Sequence, residues 1–485
     1  MNSYILVKGN EAMANITVNF ENQIGKIKPL NGVNAGPKTT VFTYDATELF
    51  QEAKIPYSRL HDVEYPYGSG EFVDIHCVFP NFEADVNDPS SYNFGLTDLY
   101  IKAVIESGAK VIYRLGESIE HAPVKRHIYP PKDYKKWAEI CEHIILHYND
   151  GWADGHHWNI EYWEIWNEPD GSTDKLPEEN HATWVGDRKT FFDFYEVIAK
   201  YLKEKFPHLK IGGPSLESKV DWADEFVAEL AKRNVPLDFF SWHTYHWRID
   251  KFLWRSNELH QILMKNGYVD TELVLDEWNY MESWNHQPRS FRKLVGATGA
   301  AFCGAVMIAM QSTPNTICAY FEADVIKEWC GLFKVKDMAI GPRKENKDRC
   351  ILEPRKPFYA FKAFGKLLSL GTEVECFSED NGVYVCAAKD DEEQAVMLVS
   401  YHSGIRDGLT EVTLKGLPKE GCQIEVYLTD DGSDEKLEKT MICQEDTVVL
   451  PLYLIDEQVR LIRIERKQNT IVLAEAAYNS VREKK

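Results

Sequence analysis

Two short stretches each set a carboxylic acid between indole and carboxamide side chains: Trp166-Asn167-Glu168-Pro169 and Asp276-Glu277-Trp278-Asn279. Each closes an apolar or aromatic run, residues 160–165 in the first case and 273–275 in the second. Two carboxyl groups, one protonated and one charged, are what cleavage of a glycosidic bond requires. Pro169 has no backbone N–H and biases the residue before it towards an extended conformation, so the first run should end as a strand with Glu168 at its tip. A glutamate packed among tryptophans loses solvation of its charged form, which raises its pKa and lets it carry a proton at neutral pH. Taken singly, either glutamate reads as a solvated loop acid or half of an ion pair. Two in matching contexts favour the chemistry.

These tips need a scaffold that brings them together. From about residue 29 to 322, short strand-like runs at 29–34, 55–60, 110–115, 159–167, 209–213, 237–243, 272–277 and 316–320 alternate with amphipathic segments. The helical segments fall at 99–107, 134–148, 191–206, 222–233 and 291–309, the second with Trp137, Ile140, Cys141, Ile144 and Ile145 on one face. Eight strands alternating with helices predict a (β/α)8 barrel over residues 15–350. An open doubly wound sheet fits the alternation too, but no Gly-rich phosphate loop follows a strand. In a barrel the strand ends converge on one face. Arg59, His61 and Asp62, then Arg114 and Glu117, Asn167 and Glu168, His243, Tyr245 and His246, and Glu277 all end strands. As a set they predict a polar pocket, although each alone reads as a barrel-capping ion pair or a satisfied core histidine.

After about residue 356 the helices give way to short strands at 382–387, 393–401, 410–414, 422–428, 447–452 and 459–464, separated by Asp, Gly and Pro turns. That predicts a β-sandwich over residues 351–485, joined by residues 1–14 (4–7 especially) and ending in a short helical tail at 471–485.

Composition narrows the partners. The formal net charge of -21 argues against nucleic acid or an anionic membrane and suits a neutral or cationic ligand, and no apolar run reaches the length of a membrane span. Thirteen Trp and 24 Tyr exceed what stacking on sugar faces would need, so most should be structural. The N-terminal residues lack a basic stretch followed by a long apolar core, and the ten cysteines include no C-x-x-C pair. Both features predict a cytoplasmic enzyme with free thiols. Asp154, His156 and His157 form the nearest metal-like cluster, on a Gly-rich loop, and are expected to hold none.

The ordered motifs resemble glycoside hydrolase family 39, the β-xylosidase and α-L-iduronidase family of clan A. Tyr57-Ser58-Arg59-Leu60-His61, Tyr92-Asn93-Phe94 with Asp98 and Gly108, Trp166-Asn167-Glu168-Pro169, Ile211-Gly212-Gly213-Pro214, Val235–Phe239 with His243-Thr244-Tyr245, Asp276-Glu277-Trp278-Asn279 and Pro357–Phe361 follow in the family's order. The resemblance implies a retaining exo-glycosidase of β-xylosidase type, acting on short oligosaccharides without cofactor or metal. Glu168 would be the acid/base and Glu277 the nucleophile. Asn167 would bind the sugar 2-hydroxyl, Arg59 would hold Glu277 ionised, His243 and Tyr245 would orient it, and His61 would line the sugar subsite. Trp278, Tyr320 and Glu322 would complete substrate binding. Asp62 in place of a glycine, Tyr320-Phe321-Glu322 in place of a tryptophan, and the stretches 329–333 and 341–349 depart from the xylosidase pattern. These leave an α-L-arabinofuranosidase or another glycosidase of the clan open. A carbohydrate-binding barrel without catalysis should lack a carboxylate, and both are here. Whether the chain is a homo-oligomer is not legible.

Overall fold

The structure, a computed structural model, describes residues 15–38, 45–63, 72–119, 124–176, 179–323, 329–338, 350–401 and 407–466. The segments 4–7, 341–349 and 471–485 singled out above lie outside them.

Eight parallel strands close into a barrel: Gly32–Asn34, Tyr57–Leu60, Lys110–Leu115, Tyr162–Ile165, Lys210–Leu216, Phe239–Tyr245, Glu272–Asn279 and Asn315–Tyr320. Helices Gly95–Glu106, Tyr134–Asp150, Arg188–Lys205, Val220–Lys232 and Ile249–Lys265 run between them. The helix expected at 291–309 is two, Gln287–Leu294 and Ala297–Gln311, parted at Gly296, whose extended backbone interrupts the turn.

Alternation along the strands builds the barrel interior in two layers. Tyr57, Ile112, Tyr162, Phe239, Val274 and Ile317 pack into one apolar cluster. Two residues further along their strands, on the same side of the pleat, come Arg59, Arg114, Glu164, Ser241 and Asp276. An apolar plug therefore carries a polar layer towards the C-terminal ends of the strands, where barrel active sites are built.

Of the described residues, the second unit takes in 15–27 and 366–466, against those from 28 to 365 for the barrel unit. The division falls at 27/28 and 365/366, not at the expected 15 and 350. The reason is the strand Asn15–Lys26: it pairs antiparallel with Thr372–Ser378 and parallel with Asp407–Lys415, and buries Ile16, Val18 and Phe20. Nine strands form one continuous ladder, with Ser433–Cys443 at one edge and Thr447–Ile455 at the other. Cys443 and Leu450, from the two edges, share one core with Val396 and Ile462 from the middle, so the sheet folds over itself as a β-sandwich.

Candidate active site

A bulge places the second carboxylate. The ladder between the sixth and seventh barrel strands pairs Trp242 with Leu275 but His243 with Glu277, skipping Asp276. Plain alternation would send Asp276 and Glu277 to opposite faces; the extra residue turns both inward. It also sends Trp278 outward. Trp278 is fully buried against Phe252, Phe302, Tyr320 and Phe361, and Tyr320 donates its hydroxyl to the carbonyl of Cys330 at 2.9 Å. Neither ring reaches the pocket, so the expected substrate contacts of Trp278 and Tyr320 are corrected to packing between barrel and helices.

Glu168 also differs from expectation. The fourth strand ends at Ile165, and Glu168 is left-handed (φ 48°), not extended. Tertiary bonds hold it there: its N–H donates to the carbonyl of Ser215 at 3.0 Å, and its own carbonyl accepts from Thr183 Oγ1 at 2.8 Å. Asp170, just beyond, accepts from the N–H groups of Glu217, Ser218 and Lys219 at 2.8, 2.9 and 2.9 Å, tying this loop to the one after the fifth strand. Burial pushes the Glu168 carboxyl up to about 7, opposed by His243 and reinforced by Glu277 and Glu217. Trp166 is not the cause, because it packs outward on Trp137, Trp184 and Phe194.

Arg59 is the hub. Fully buried, it meets Glu164 at 2.7 Å and Asp276 at 3.0 Å through Nε, and Glu277 Oε2 at 3.1 Å through Nη1. Nη1 also reaches Asn34 at 3.2 Å, and Nη2 donates to Asn167 Oδ1 and Ser215 Oγ, both at 2.8 Å. Three carboxylates around one guanidinium leave an excess of negative charge, and a proton resolves it. Glu164 is pushed up to about 8 by burial, with Asp276 adding to the rise and Arg59 opposing it. Asp276, despite its burial, is driven well below the usual carboxylate range by Arg59 and His243.

The remaining partners divide between the two glutamates. Tyr245 donates its hydroxyl to Glu277 Oε1 at 2.7 Å. His61 Nε2 lies 3.7 Å from Glu277 Oε2 and 3.3 Å from Asp62 Oδ1. His243 Nδ1 bonds Glu168 Oε1 at 2.8 Å, while its Nε2 faces Asp276 Oδ1 at 3.6 Å and Glu277 Oε2 at 3.8 Å. Burial would hold His243 neutral, but Glu277, Asp276 and Glu168 outweigh it and keep the imidazolium. His243 thus bridges both acids rather than orienting Glu277 alone.

Above this layer opens a cavity of about 650 Å³. Glu168, Glu277, His61 and Tyr245 line it directly, while Arg59, Asn167 and His243 lie in the buried layer behind them. Glu322 is fully buried next to Phe321, and it is Phe321 that forms the wall. Reading the sequence missed Glu164, Ser215, Glu217 and Arg255, and the rim indoles Trp254 and Trp284. Glu164 carried a signal, being an acid inside an aromatic strand. The stretch with Asp154, His156 and His157 lies elsewhere, with His156 Nε2 3.6 Å from Asp98 and His157 against the carbonyl of Asn149.

The model of glycosyl hydrolases family 39 matches residues 14–326. A beta-xylosidase of Caldicellulosiruptor saccharolyticus is 24% identical over 449 residues, covering 85% of this chain and 84% of that one. A beta-xylosidase of Geobacillus stearothermophilus is 29% identical over 196 residues, a match spanning only 37% of this chain and 36% of that relative. Among solved structures, a glucosidase from Croceicoccus marinus superposes with a TM-score of 0.74 at 20% identity, covering 94% of this chain and 99% of that one. At that identity the likeness carries the fold alone.

Proposed function

The chain belongs to glycosyl hydrolases family 39, and from that premise we propose that it is a retaining exo-glycosidase of β-xylosidase type acting on short oligosaccharides. The observation that carries the reading is the placement of the two acids. One carboxylate oxygen of Glu168 and one of Glu277 lie within 4.8 Å of each other. Retaining enzymes hold their carboxyl groups about 5–5.5 Å apart, while inverting ones need roughly 6.5–9.5 Å to admit a water between them.

In the first step Glu277 Oε attacks the anomeric carbon, the bond to the leaving oxygen breaks, and Glu168 gives that oxygen its proton. A carboxyl near pH 7 in its titration can supply the proton and then act as base. In the second step Glu168 takes a proton from water, whose oxygen displaces Glu277 from the anomeric carbon. The His243 imidazolium, on Glu168 Oε1, stabilises the carboxylate left between the steps. Asn167 fits a sugar hydroxyl: Arg59 holds its Oδ1, and its buried Nδ2 has no acceptor among the described residues. A panel of 4-nitrophenyl glycosides, followed by proton NMR of the first-formed anomer, tests both parts. Xyloside should be the best substrate and the product should keep its configuration. Preference for the arabinofuranoside would move the sugar, the opposite anomer would remove retention, and a silent panel would remove the hydrolase reading.

A further inference from the structure

The cavity wall carries two cations that no acid of the described residues pairs. Arg255 donates through Nη1 to the carbonyl of His243 at 2.8 Å, to Thr244 Oγ1 at 2.8 Å and to the carbonyl of Glu217 at 3.4 Å. Those bonds fix the guanidinium plane, and among the described residues no protein acceptor takes its Nε or Nη2. One helical turn earlier, Lys251 lines the same cavity, its ammonium 5.6 Å from the centre of the Trp254 ring and with no carboxylate in ion-pair reach. Arg188, Arg233 and Arg460, by contrast, are each held by carboxylates, in a chain of net charge -21. Like charges four residues apart on a helix repel. An arrangement that leaves both facing a cavity calls for an anion from outside.

Their position says which part of a substrate would supply it. Arg255 is anchored on the backbone of His243, whose ring holds Glu168. Arg255 also bonds the carbonyl of Glu217, whose N–H is held by Asp170 two residues past Glu168, which places the guanidinium beside the loop of the acid that, as proton donor, faces the leaving oxygen. Trp254 and Trp284, 47% and 53% exposed, line the same cavity and offer faces on which a second sugar ring stacks. We propose that Arg255 and Lys251 form a subsite for an anionic group, a carboxylate or a sulfate ester, on the sugar that follows the scissile bond. The natural substrates are then acidic oligosaccharides, an inference that rests on the glycosidase reading above. A guanidinium edge matches two oxygens of either group at once. Burial holds Arg255 below the usual guanidinium range, against Asp170 and Glu217, so a bound anion also relieves a poorly solvated charge. The nearby acids act on it only at a distance, and none of the described ones forms an ion pair with it. Glu217 turns its backbone carbonyl to Arg255, and burial, then Asp170, raises its carboxyl, so it keeps a proton more readily; Asp62 lies with His61.

The test uses disaccharides in which the terminal sugar selected by the nitrophenyl panel is joined to glucuronic acid, glucose 6-sulfate or glucose. The reading is the ratio of kcat/KM, acidic over neutral. The intact protein should favour one acidic aglycone by roughly 10- to 100-fold, the range of a charged hydrogen bond, and the preferred one identifies the anion. The ratio should fall as salt is raised, collapse in Arg255→Gln and shrink in Lys251→Gln, which removes an exposed charge without touching the His243 backbone. Nitrophenyl glycosides cleaved with no acidic preference, or a preference that survives both substitutions, overturns the subsite and leaves the hydrolase reading standing. A panel with no turnover overturns both.

Discussion

Glu168 and Glu277 are the same residue type, within one cavity, and the two sides of that cavity treat them differently. Glu277 sits against a guanidinium at 3.1 Å and a phenol at 2.7 Å, with His61 and His243 each under 4 Å away. Among the described residues Glu168 has one bonded side-chain partner, His243, and otherwise a buried setting that lifts its carboxyl to about 7. Donor number on one side and desolvation on the other are what the proposed roles of nucleophile and acid/base rest on, without any difference in the acids themselves. Charge is concentrated where it is costly to bury, around Arg59, and burial, with Asp276 adding to it, raises the Glu164 carboxyl to about 8.

The sharpest way to break this comparison is to delete each acid in turn. Glu277→Ala should lower kcat by on the order of 10⁴-fold or more, the scale of losing a nucleophile. Azide should restore turnover by attacking from the vacated face, giving a glycosyl azide of inverted configuration. Glu168→Ala should cost roughly 10²–10⁴-fold on poor leaving groups and much less on nitrophenolates, which need little protonation. With those substrates the glycosyl-enzyme should accumulate as a burst, and azide should release it with retention. The same azide anomer from both variants would show that the two acids do not have separate roles.

Arg59→Met sharpens the comparison in another currency. It leaves Glu164, Asp276 and Glu277 buried without their cation, and breaking a buried pair in this way costs about 3–5 kcal/mol. The urea midpoint should fall by the corresponding amount, with unchanged dependence on urea. A variant as stable as the parent would mean the acids find protons or water instead.

Much of this was legible in the sequence, for reasons that differ from part to part. The eight barrel strands announced themselves because buried parallel strands are continuous apolar runs, and Glu168 and Glu277 because each follows such a run in the sequence. The strand Ser433–Cys443 did not, since at a sheet edge it exposes most of its length, carries Asp434, Glu435, Lys436, Glu438 and Lys439, and shows no apolar alternation. Thr372–Ser378 was hidden similarly, with only Val374 fully buried. Trp278 was misplaced for a subtler reason. Composition marks an indole beside a catalytic acid as a sugar platform, but the bulge at Asp276 fixes which residue turns inward, and a bulge has no sequence signature here. Arg255 was invisible because what marks it is that no acid among the described residues pairs with it, which only three dimensions reveal.

The smallest expected effect tests the link between the two sides. His243 is the one side chain bonded to Glu168 that also faces Asp276 and Glu277. Its charge lowers the Glu168 carboxyl against the larger effect of burial, so at about 7 the acid is a compromise between the two. Glu168 must be protonated to assist departure, and kcat/KM should therefore fall as pH rises through that value, giving an alkaline limb near neutrality. In His243→Gln the lowering influence is gone while burial, Glu277 and Glu217 remain, so the carboxyl rises further and the limb should move to higher pH. The plateau should drop as well, because the carboxylate left after proton transfer loses its cation. A purely structural role for His243 would lower the plateau and leave the limb where it was. A limb moving to lower pH would show that some other group, not Glu168, donates the proton.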